Sequence, residues 1–302
     1  MRFRSDPTRI RGSIAPLVTP FAEDGSLDLE AIPRLVEWQL ERGSHGISVG
    51  GSTGEPTVQT VAERIAVMEA AATAIADRVP FLPGTGAASM ADTVELTAAA
   101  ERLGADAALV VTPPYARPTQ EGLRRWYAAL AREFPGLPLI VYNVPVRAAV
   151  DVAPETVGRL ARDHDNVVGI KETTRDFEHV SHVLAECGTD FLAYSGIELL
   201  CYPMLAIGGA GHLSCVANFA PRPVAELYDA FAAGEEGRAR ELHYELHPLV
   251  ELAFLETNPT PAKWAMERLG LIGCGDPRPP LAPFSAEGRA RAEGILAGRE
   301  IG

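Results

Sequence analysis

Short hydrophobic runs alternate with longer segments of helical period along most of this chain. The runs are rich in β-branched residues, and several contain no polar position, which is typical of parallel strands covered on both faces. These strand-like runs lie at residues 12–21, 46–50, 80–86, 107–114, 138–145, 166–174, 191–196 and 211–218. The segments between them predict helices, among them residues 29–43, 60–76, 90–103, 119–134 and 154–163.

Eight strands in βα alternation predict an α/β fold, and they favour a closed (β/α)8 TIM barrel over an open, doubly wound sheet. The open sheet is further disfavoured because no glycine-rich dinucleotide fingerprint follows the first strand. We therefore predict a (β/α)8 catalytic barrel over residues 1–235.

The alternation stops after residue 235, and the remainder of the chain has the pattern of helices alone. These helices are predicted at residues 237–256, 260–269 and 284–298. The segment is short and amphipathic, so we predict that residues 236–302 form a C-terminal helical appendage packed on the barrel.

Composition excludes several kinds of partner. With 27 basic and 40 acidic residues, the formal charge is −13, which argues against nucleic acid and against an anionic membrane surface. The start of the chain has no continuous apolar signal segment, and no run is long enough to span a membrane. The sequence therefore predicts a cytoplasmic protein.

Cysteine and histidine spacing gives no indication of a metal. The four cysteines contain no C-x-x-C pair, so free thiols in a reducing cytosol are expected. His243 and His247 lie one helical turn apart, but a solvated helix face accounts for them better than a ligand pair does. We predict no metal site.

Chemically useful side chains follow the predicted strands at the ends where a barrel carries its active site. The second strand ends in GGSTGEP and the fourth in TPPYARP. The fifth, sixth and seventh end in YNVPVR, IKETT and YSG. The opposite strand ends have the composition of plain connectors.

Lys171 is the strongest candidate among these side chains. The chain has two lysines, Lys171 and Lys263, and uses arginine for its other basic positions. A guanidinium stays protonated, whereas a desolvated amine can lose its proton and attack a carbonyl to form a Schiff base. The alternative is that Lys171 forms a salt bridge with Glu172 or another acid.

Three further motifs each allow a functional and a structural interpretation. The Ser52 and Thr53 hydroxyls, with nearby N–H groups, can hold a carboxylate, or they can belong to a tight turn with a helix cap. Tyr142 can transfer protons at a strand end, or it can be a core aromatic residue. Arg147 can bind a substrate or be a surface cation.

The motifs GSTGEP, VTPPYARPTQEGL, YNVP, GIKETT and NPTPAKWAMERLGL together resemble the dihydrodipicolinate synthase / N-acetylneuraminate lyase family. The resemblance covers almost the whole chain in order. It implies a class I aldolase-type barrel that forms a Schiff base with pyruvate, joins or releases an aldehyde, and needs no cofactor. It also implies a homo-oligomer, a tetramer built as a dimer of dimers.

Carried over by position, the resemblance makes Lys171 the Schiff-base lysine and Tyr142 the tyrosine that moves protons. Ser52 and Thr53 match the hydroxyls that hold the pyruvate carboxylate and relay protons. Tyr115 is similar to the tyrosine that reaches into a neighbouring subunit's site. The remaining expected substrate contacts are Arg147, which would receive the second substrate's carboxylate, Gly196 and Leu213.

The motifs leave the substrate open within the family. GIKETT, TPPYARP and Arg147 favour the synthase branch, which condenses pyruvate with aspartate semialdehyde, whereas GGSTGE resembles the lyase version of the loop. Cleavage or dehydration of another 4-hydroxy-2-oxo acid or sugar acid is the alternative, and a catalytically dead metabolite-binding barrel is a further one. The contacts expected of lysine-sensitive synthases are replaced here by Pro56, Val61, Arg64, Ala88 and Pro114.

Overall fold

The strands of this protein form where the sequence places short runs of buried aliphatic residues. A computed structural model describes residues 6–188 and 190–299. The chain divides into two units. Among the described residues, unit A comprises residues 12–79 and 214–299, and unit B comprises residues 6–11, 80–188 and 190–213.

The first part of unit A consists of two parallel strands and two long helices. In chain order these are β1 Gly12–Pro16, α1 Ala31–Glu41, β2 Gly46–Ser48 and α2 Val61–Ile75. Ile14 of β1 pairs with Gly46 of β2, and Pro16 pairs with Ser48. Every residue of both strands is buried, as expected of strands covered on both faces.

Unit B contains a sheet in which each strand pairs with its sequence neighbour. The strands are β3 Ala108–Val111, β4 Leu139–Asn143, β5 Val167–Glu172, β6 Leu192–Ser195 and β7 Gly211–Leu213. All the pairings are parallel, in the order β3-β4-β5-β6-β7. The helices between and before them are α3 Met90–Arg102, α4 Gln120–Glu133, α5 Pro145–Ala148, α6 Pro154–Asp163, α7 Phe177–Cys187 and α8 Cys201–Ala206.

The predicted strand at residues 80–86 is reduced to isolated bridge positions at Phe81 and Gly84, and Gly84 pairs in parallel with Leu109. The Leu109 N–H donates to the Pro83 carbonyl at 2.9 Å, and the Thr85 N–H donates to the Leu109 carbonyl at 3.0 Å. Proline has no N–H to donate to a ladder, so Pro80 and Pro83 limit the regular pairing of this segment. The predicted location is correct, and the predicted length is not.

The second part of unit A is helical in the described residues. Its helices are α9 Pro221–Ala232, α10 Glu236–Glu245, α11 His247–Ala253, α12 Thr260–Arg268 and α13 Ala286–Leu296. The single helix predicted at residues 237–256 is two helices, because Pro248 in the first turn of α11 has no N–H to continue the ladder of α10. Among the described residues, no helix is both long and apolar enough to cross a membrane.

The division of the chain at residue 235 stays a prediction. Of the predicted barrel range, residues 1–5 and 189 lie outside the described residues, as do residues 300–302 of the predicted extension. Within unit A, the C-terminal helices share packing with the segment from residue 12 to 79. The chain therefore returns, after unit B, to the unit in which β1 and β2 lie.

Candidate active site

Lys171 and Tyr142 occupy paired positions on neighbouring parallel strands. The register of β4 and β5 places Tyr142 directly opposite Lys171. Side chains alternate between the faces of a strand, so paired positions project to the same face of the sheet. The Lys171 Nζ lies 4.3 Å from the centroid of the Tyr142 ring. Both residues are about 5% exposed or less, so the amine and the phenol share a desolvated environment.

Glu172 lies on the opposite face of β5, because it is the next residue along the strand. Its carboxylate accepts hydrogen bonds from the Asn143 amide at 3.0 and 3.1 Å. It also accepts the Thr173 and Thr174 N–H groups, each at 2.8 Å. A structural salt bridge between Lys171 and Glu172 is therefore disfavoured, because the Glu172 carboxylate is bound by other donors on the opposite face.

His179 completes this buried polar cluster from helix α7. Its Nε2 lies 3.2 Å from a Glu172 carboxylate oxygen. The hydrogen bond to Glu172 raises the pKa of His179 above its usual value, although burial opposes the shift. Asn143 also donates to the Asp151 carboxylate at 2.6 Å. Sequence reasoning missed this cluster, yet the alternation within YNVP and GIKETT marks Asn143 and Glu172 as neighbours on one face.

Gly196 is packed against the lysine strand at the end of β6. Its N–H donates to the Glu172 carbonyl at 2.7 Å. A Cβ added at Gly196 would lie 2.8 Å from Lys171 Cε and would collide with the Thr173 methyl group. The position therefore accepts no side chain while Lys171 keeps its place. Leu213, the last residue of β7, is buried.

Arg147 and Tyr115 are the exposed members of the predicted set. Arg147 is on α5, the short helix that directly follows β4. Tyr115 is 97% exposed and has a φ of +73°. A large aromatic ring so fully in water contributes little to the packing of its own chain, and the predicted role of Tyr115 toward a second subunit stays a prediction.

Ser52 and Thr53 lie in unit A, in a 3-10 turn spanning Ser52–Gly54. Thr53 is buried, and its Oγ1 accepts the Asn258 side-chain N–H at 3.1 Å. The Gly54 carbonyl that closes the turn accepts the Thr19 hydroxyl at 2.7 Å. The turn is thus held by side chains from outside it. The role of these hydroxyls toward a substrate carboxylate stays a prediction.

The second lysine of the chain is engaged in a buried ion pair. Lys263 is fully buried in α12, and its Nζ lies 2.8 Å from the Glu55 carboxylate and 4.2 Å from the centroid of the Phe21 ring. Burial lowers the pKa of Lys263, and the adjacent Glu55 carboxylate opposes the shift. The two lysines of the chain therefore differ, since the Lys263 amine already has a carboxylate partner.

Cysteines and metal-ligand clusters add nothing to this site. In residues 6–188 and 190–299, no group of three or more His, Cys, Asp or Glu side chains could hold a metal ion. The four cysteines are free, and burial raises the pKa of the Cys187 thiol to about 11. The prediction that no metal is used stays a prediction.

A buried amine at the end of a parallel strand, beside a phenol on the adjacent strand, is the arrangement of a Schiff-base-forming enzyme. The chain belongs to the dihydrodipicolinate synthetase family, whose model matches residues 9–298. The family resemblance of the motifs is thereby confirmed.

Relatives of this chain resemble it over nearly its full length. The 4-hydroxy-tetrahydrodipicolinate synthase of Thermus thermophilus is 47% identical over 277 residues, which are 92% of each chain. The enzyme of the same name from Thermodesulfovibrio yellowstonii is 42% identical over 286 residues, covering 95% of this chain and 97% of the relative.

Solved structures of synthases also resemble this chain over nearly its full length. The dihydrodipicolinate synthase of Aquifex aeolicus has a TM-score of 0.92 and 39% identity, covering 95% of this chain and 97% of that one. The 4-hydroxy-tetrahydrodipicolinate synthase of Methylacidiphilum fumariolicum has a TM-score of 0.92 and 36% identity, covering 95% of each chain. The predicted fold class, a (β/α)8 barrel with a C-terminal helical extension, is confirmed.

Gly196→Ala tests the steric requirement beside Lys171. The added methyl group would displace Lys171 Cε or Thr173, so we expect the amine to lose its position while the sheet remains folded. Covalent trapping of a keto-acid at Lys171 should fall by about tenfold or more, since misplacement of a reacting group costs at least that much.

Gly237→Ala is the matched control, because nothing lies within 4 Å of a Cβ added there. It should leave trapping unchanged. Circular dichroism should show the same spectrum for both variants and the wild type. Full trapping in Gly196→Ala would show that the space beside Lys171 is not needed.

Proposed function

We propose that this chain is a 4-hydroxy-tetrahydrodipicolinate synthase, which condenses pyruvate with aspartate semialdehyde through a Schiff base on Lys171. The observation that carries the proposal is the paired placement of the Lys171 amine and the Tyr142 phenol on β5 and β4. Relatives with that name, up to 47% identical over most of the chain, support the choice of substrates.

The first half of the reaction requires a free amine and a proton carrier. The Lys171 Nζ adds to the ketone carbon of pyruvate, and loss of water gives the imine. The protonated imine withdraws electrons, so a proton leaves the methyl carbon and an enamine forms. Tyr142, whose ring lies beside the Lys171 amine, would carry these protons together with Ser52.

The second half joins the two substrates and releases the enzyme. The enamine carbon attacks the aldehyde carbon of aspartate semialdehyde, and the resulting alkoxide takes up a proton. The amino group of the joined product then attacks the imine carbon and displaces Lys171 as the ring closes. The net reaction releases one water molecule, and the proposal requires no cofactor other than the covalent imine.

The predicted binding residues divide between the two substrates. Ser52 and Thr53 would donate to the pyruvate carboxylate, a group that hydroxyl and N–H donors at a turn suit well. Arg147 would receive the carboxylate of the semialdehyde. Gly196 and Leu213 would line the site near the imine. These assignments rest on the family resemblance together with the burial and hydrogen bonds described above.

We further propose a homotetramer built as a dimer of dimers. The 97% exposure of the Tyr115 ring supports an assembly in which this side chain enters the site of a neighbouring subunit and joins the proton relay. A cytoplasmic location is also proposed, supported by the four free cysteines.

Trapping with borohydride tests the central step. Pyruvate and borohydride should add one pyruvate-derived group per chain, and peptide mapping should place it on Lys171, because Lys263 is held in its ion pair with Glu55. Lys171→Arg should abolish the adduct, since a guanidinium keeps the charge and forms no imine. An adduct on Lys263, or none on the wild type, would contradict the mechanism.

The same preparation separates the candidate functions. Wild-type protein with pyruvate should consume aspartate semialdehyde. An adduct at Lys171 without consumption of the semialdehyde would assign the chain to another branch, one that acts on a different 4-hydroxy-2-oxo acid or sugar acid. If the protein forms no adduct and shows no turnover, it is a catalytically dead barrel that binds a metabolite.

Tyr142→Phe tests proton transfer. The change keeps the ring over Lys171 and removes only the hydroxyl, so we expect turnover to drop by about a hundredfold or more with the fold unchanged. Steady-state rates and circular dichroism measure the two effects. An unchanged rate would return Tyr142 to the interpretation as a core aromatic residue.

Arg147→Ala tests recognition of the second substrate. Loss of a charge-assisted hydrogen bond costs about 1.5–3 kcal/mol. The KM for aspartate semialdehyde should therefore rise by about ten- to a hundredfold, while the KM for pyruvate changes little. Arg159→Ala, at an exposed arginine on α6 whose Nε lies 3.5 Å from Asp163, is the control and should change neither. If Arg147→Ala and Arg159→Ala have the same KM for aspartate semialdehyde, Arg147 is a surface cation and does not bind the second substrate.

A further inference from the structure

The C-terminal part of unit A reaches back to the loop that carries Ser52 and Thr53. The Asn258 side-chain N–H donates to Thr53 Oγ1 at 3.1 Å, across 205 positions of the sequence. Asn258 is 8% exposed and Thr53 is 4% exposed, so this hydrogen bond is shielded from water. A buried bond of this kind holds its partners in one geometry, because neither can exchange it freely for solvent.

The direction of this hydrogen bond has a chemical consequence for Thr53. A threonine hydroxyl has one hydrogen to donate and two lone pairs that accept. Because Asn258 supplies the donor, the Thr53 oxygen acts as the acceptor, and the hydroxyl keeps its own hydrogen for another acceptor. Accepting a hydrogen bond also polarises the O–H group and strengthens it as a donor. An anionic oxygen is the acceptor that such a group binds best.

The segment that carries Asn258 is itself fixed to the same loop. Lys263, five residues further along, forms the buried ion pair with Glu55 at 2.8 Å. The other Glu55 carboxylate oxygen accepts the backbone N–H of Arg278 at 2.9 Å. Glu55 has a φ of +54°, a conformation that residues with a side chain adopt rarely, and these two contacts from the C-terminal region hold it there.

Arg278 extends this connection beyond the turn. Its guanidinium donates to the carbonyls of Gly25 at 2.8 Å and Val58 at 3.0 Å. It also donates to the Glu63 carboxylate at 2.6 Å, and this interaction is the main reason that the pKa of Glu63 falls to about 2. The loop and the C-terminal segment therefore form one hydrogen-bonded structure within unit A, in which the Asn258 amide has little freedom to move.

We propose that Asn258 is a positioning residue for substrate binding: its amide orients the Thr53 hydroxyl as a donor to the carboxylate of the keto-acid. The proposal rests on the proposed function, in which Thr53 receives that carboxylate. Asn258 acts through Thr53 and does not touch the reacting atoms. Its loss should therefore weaken recognition of the carboxylate specifically and leave imine chemistry available.

Asn258→Asp reverses the hydrogen bond with almost no change of shape. The carboxylate can only accept, so it takes the Thr53 hydrogen and leaves the substrate facing a lone pair. We expect the pyruvate concentration for half-maximal borohydride trapping to rise by about ten- to a hundredfold. Asn258→Ala removes the donor without adding charge, so it should raise the same pyruvate concentration by about three- to tenfold. If the aspartate variant does not fold, the alanine variant provides the test.

Methyl pyruvate provides the readout that a merely structural role would not change. It offers the same ketone without a carboxylate, so its trapping at Lys171 should be equal in the wild type and both Asn258 variants. Thr53→Val should match Asn258→Asp with pyruvate. In the Thr53→Val background, Asn258→Asp should add less than about a twofold change, because the two residues act as a unit.

Asn166→Asp is the matched control. Its amide donates to the carbonyls of Ala131, Phe134 and Leu137, so the same chemical change should lower stability without altering the ratio of pyruvate to methyl pyruvate trapping. An equal loss of both keto compounds in the Asn258 variants, or no loss of either, would overturn the positioning role. Failure of the wild type to trap pyruvate would instead refute the proposed function itself, and the positioning role with it.

Discussion

The parallel pairing of β4 with β5 is the constraint on which the chemistry of this chain depends. It sets Tyr142 opposite Lys171, and strand geometry then directs both side chains to one face of the sheet. A slip of β5 by one residue against β4 would turn Lys171 to the other face and bring Glu172 or Ile170 opposite Tyr142. The buried backbone ladder thus fixes the phenol beside the amine.

The opposite face of the same strand pair carries the polar groups that hold this register in place. Glu172 is a buried carboxylate, and a buried charge is tolerated only when its oxygens are bound. Asn143, His179 and two backbone N–H groups bind it. Since these donors come from β4, α7 and the loop after β5, the carboxylate ties three elements together directly behind the lysine.

Unit A follows the same principle with a different pair. The Glu55–Lys263 ion pair is fully buried, and breaking such a pair leaves an uncompensated charge at a cost of about 3–5 kcal/mol. The C-terminal helices are therefore more than a covering layer, because α12 supplies the partner that keeps the loop after β2 in its conformation. Most basic positions of the chain are arginine, but the position beside Glu55 is Lys263. An ammonium is a compact point charge, and it fits the small enclosed space there.

The sequence by itself determined the alternation of strands and helices, the strand ends that carry chemistry, and the resemblance that implied Lys171 and Tyr142. Periodicity and residue type are local properties, so they can be read without a structure. Only the tertiary structure decided that the segment at 80–86 is reduced to isolated bridges, that Tyr142 pairs with Lys171, and that Lys263 is held by Glu55. These depend on ladder register and on contacts between residues up to 208 positions apart, which no local pattern encodes. The motif NPTPAKW contains both Asn258 and Lys263, but the sequence does not show that their partners are Thr53 and Glu55 in the loop after β2.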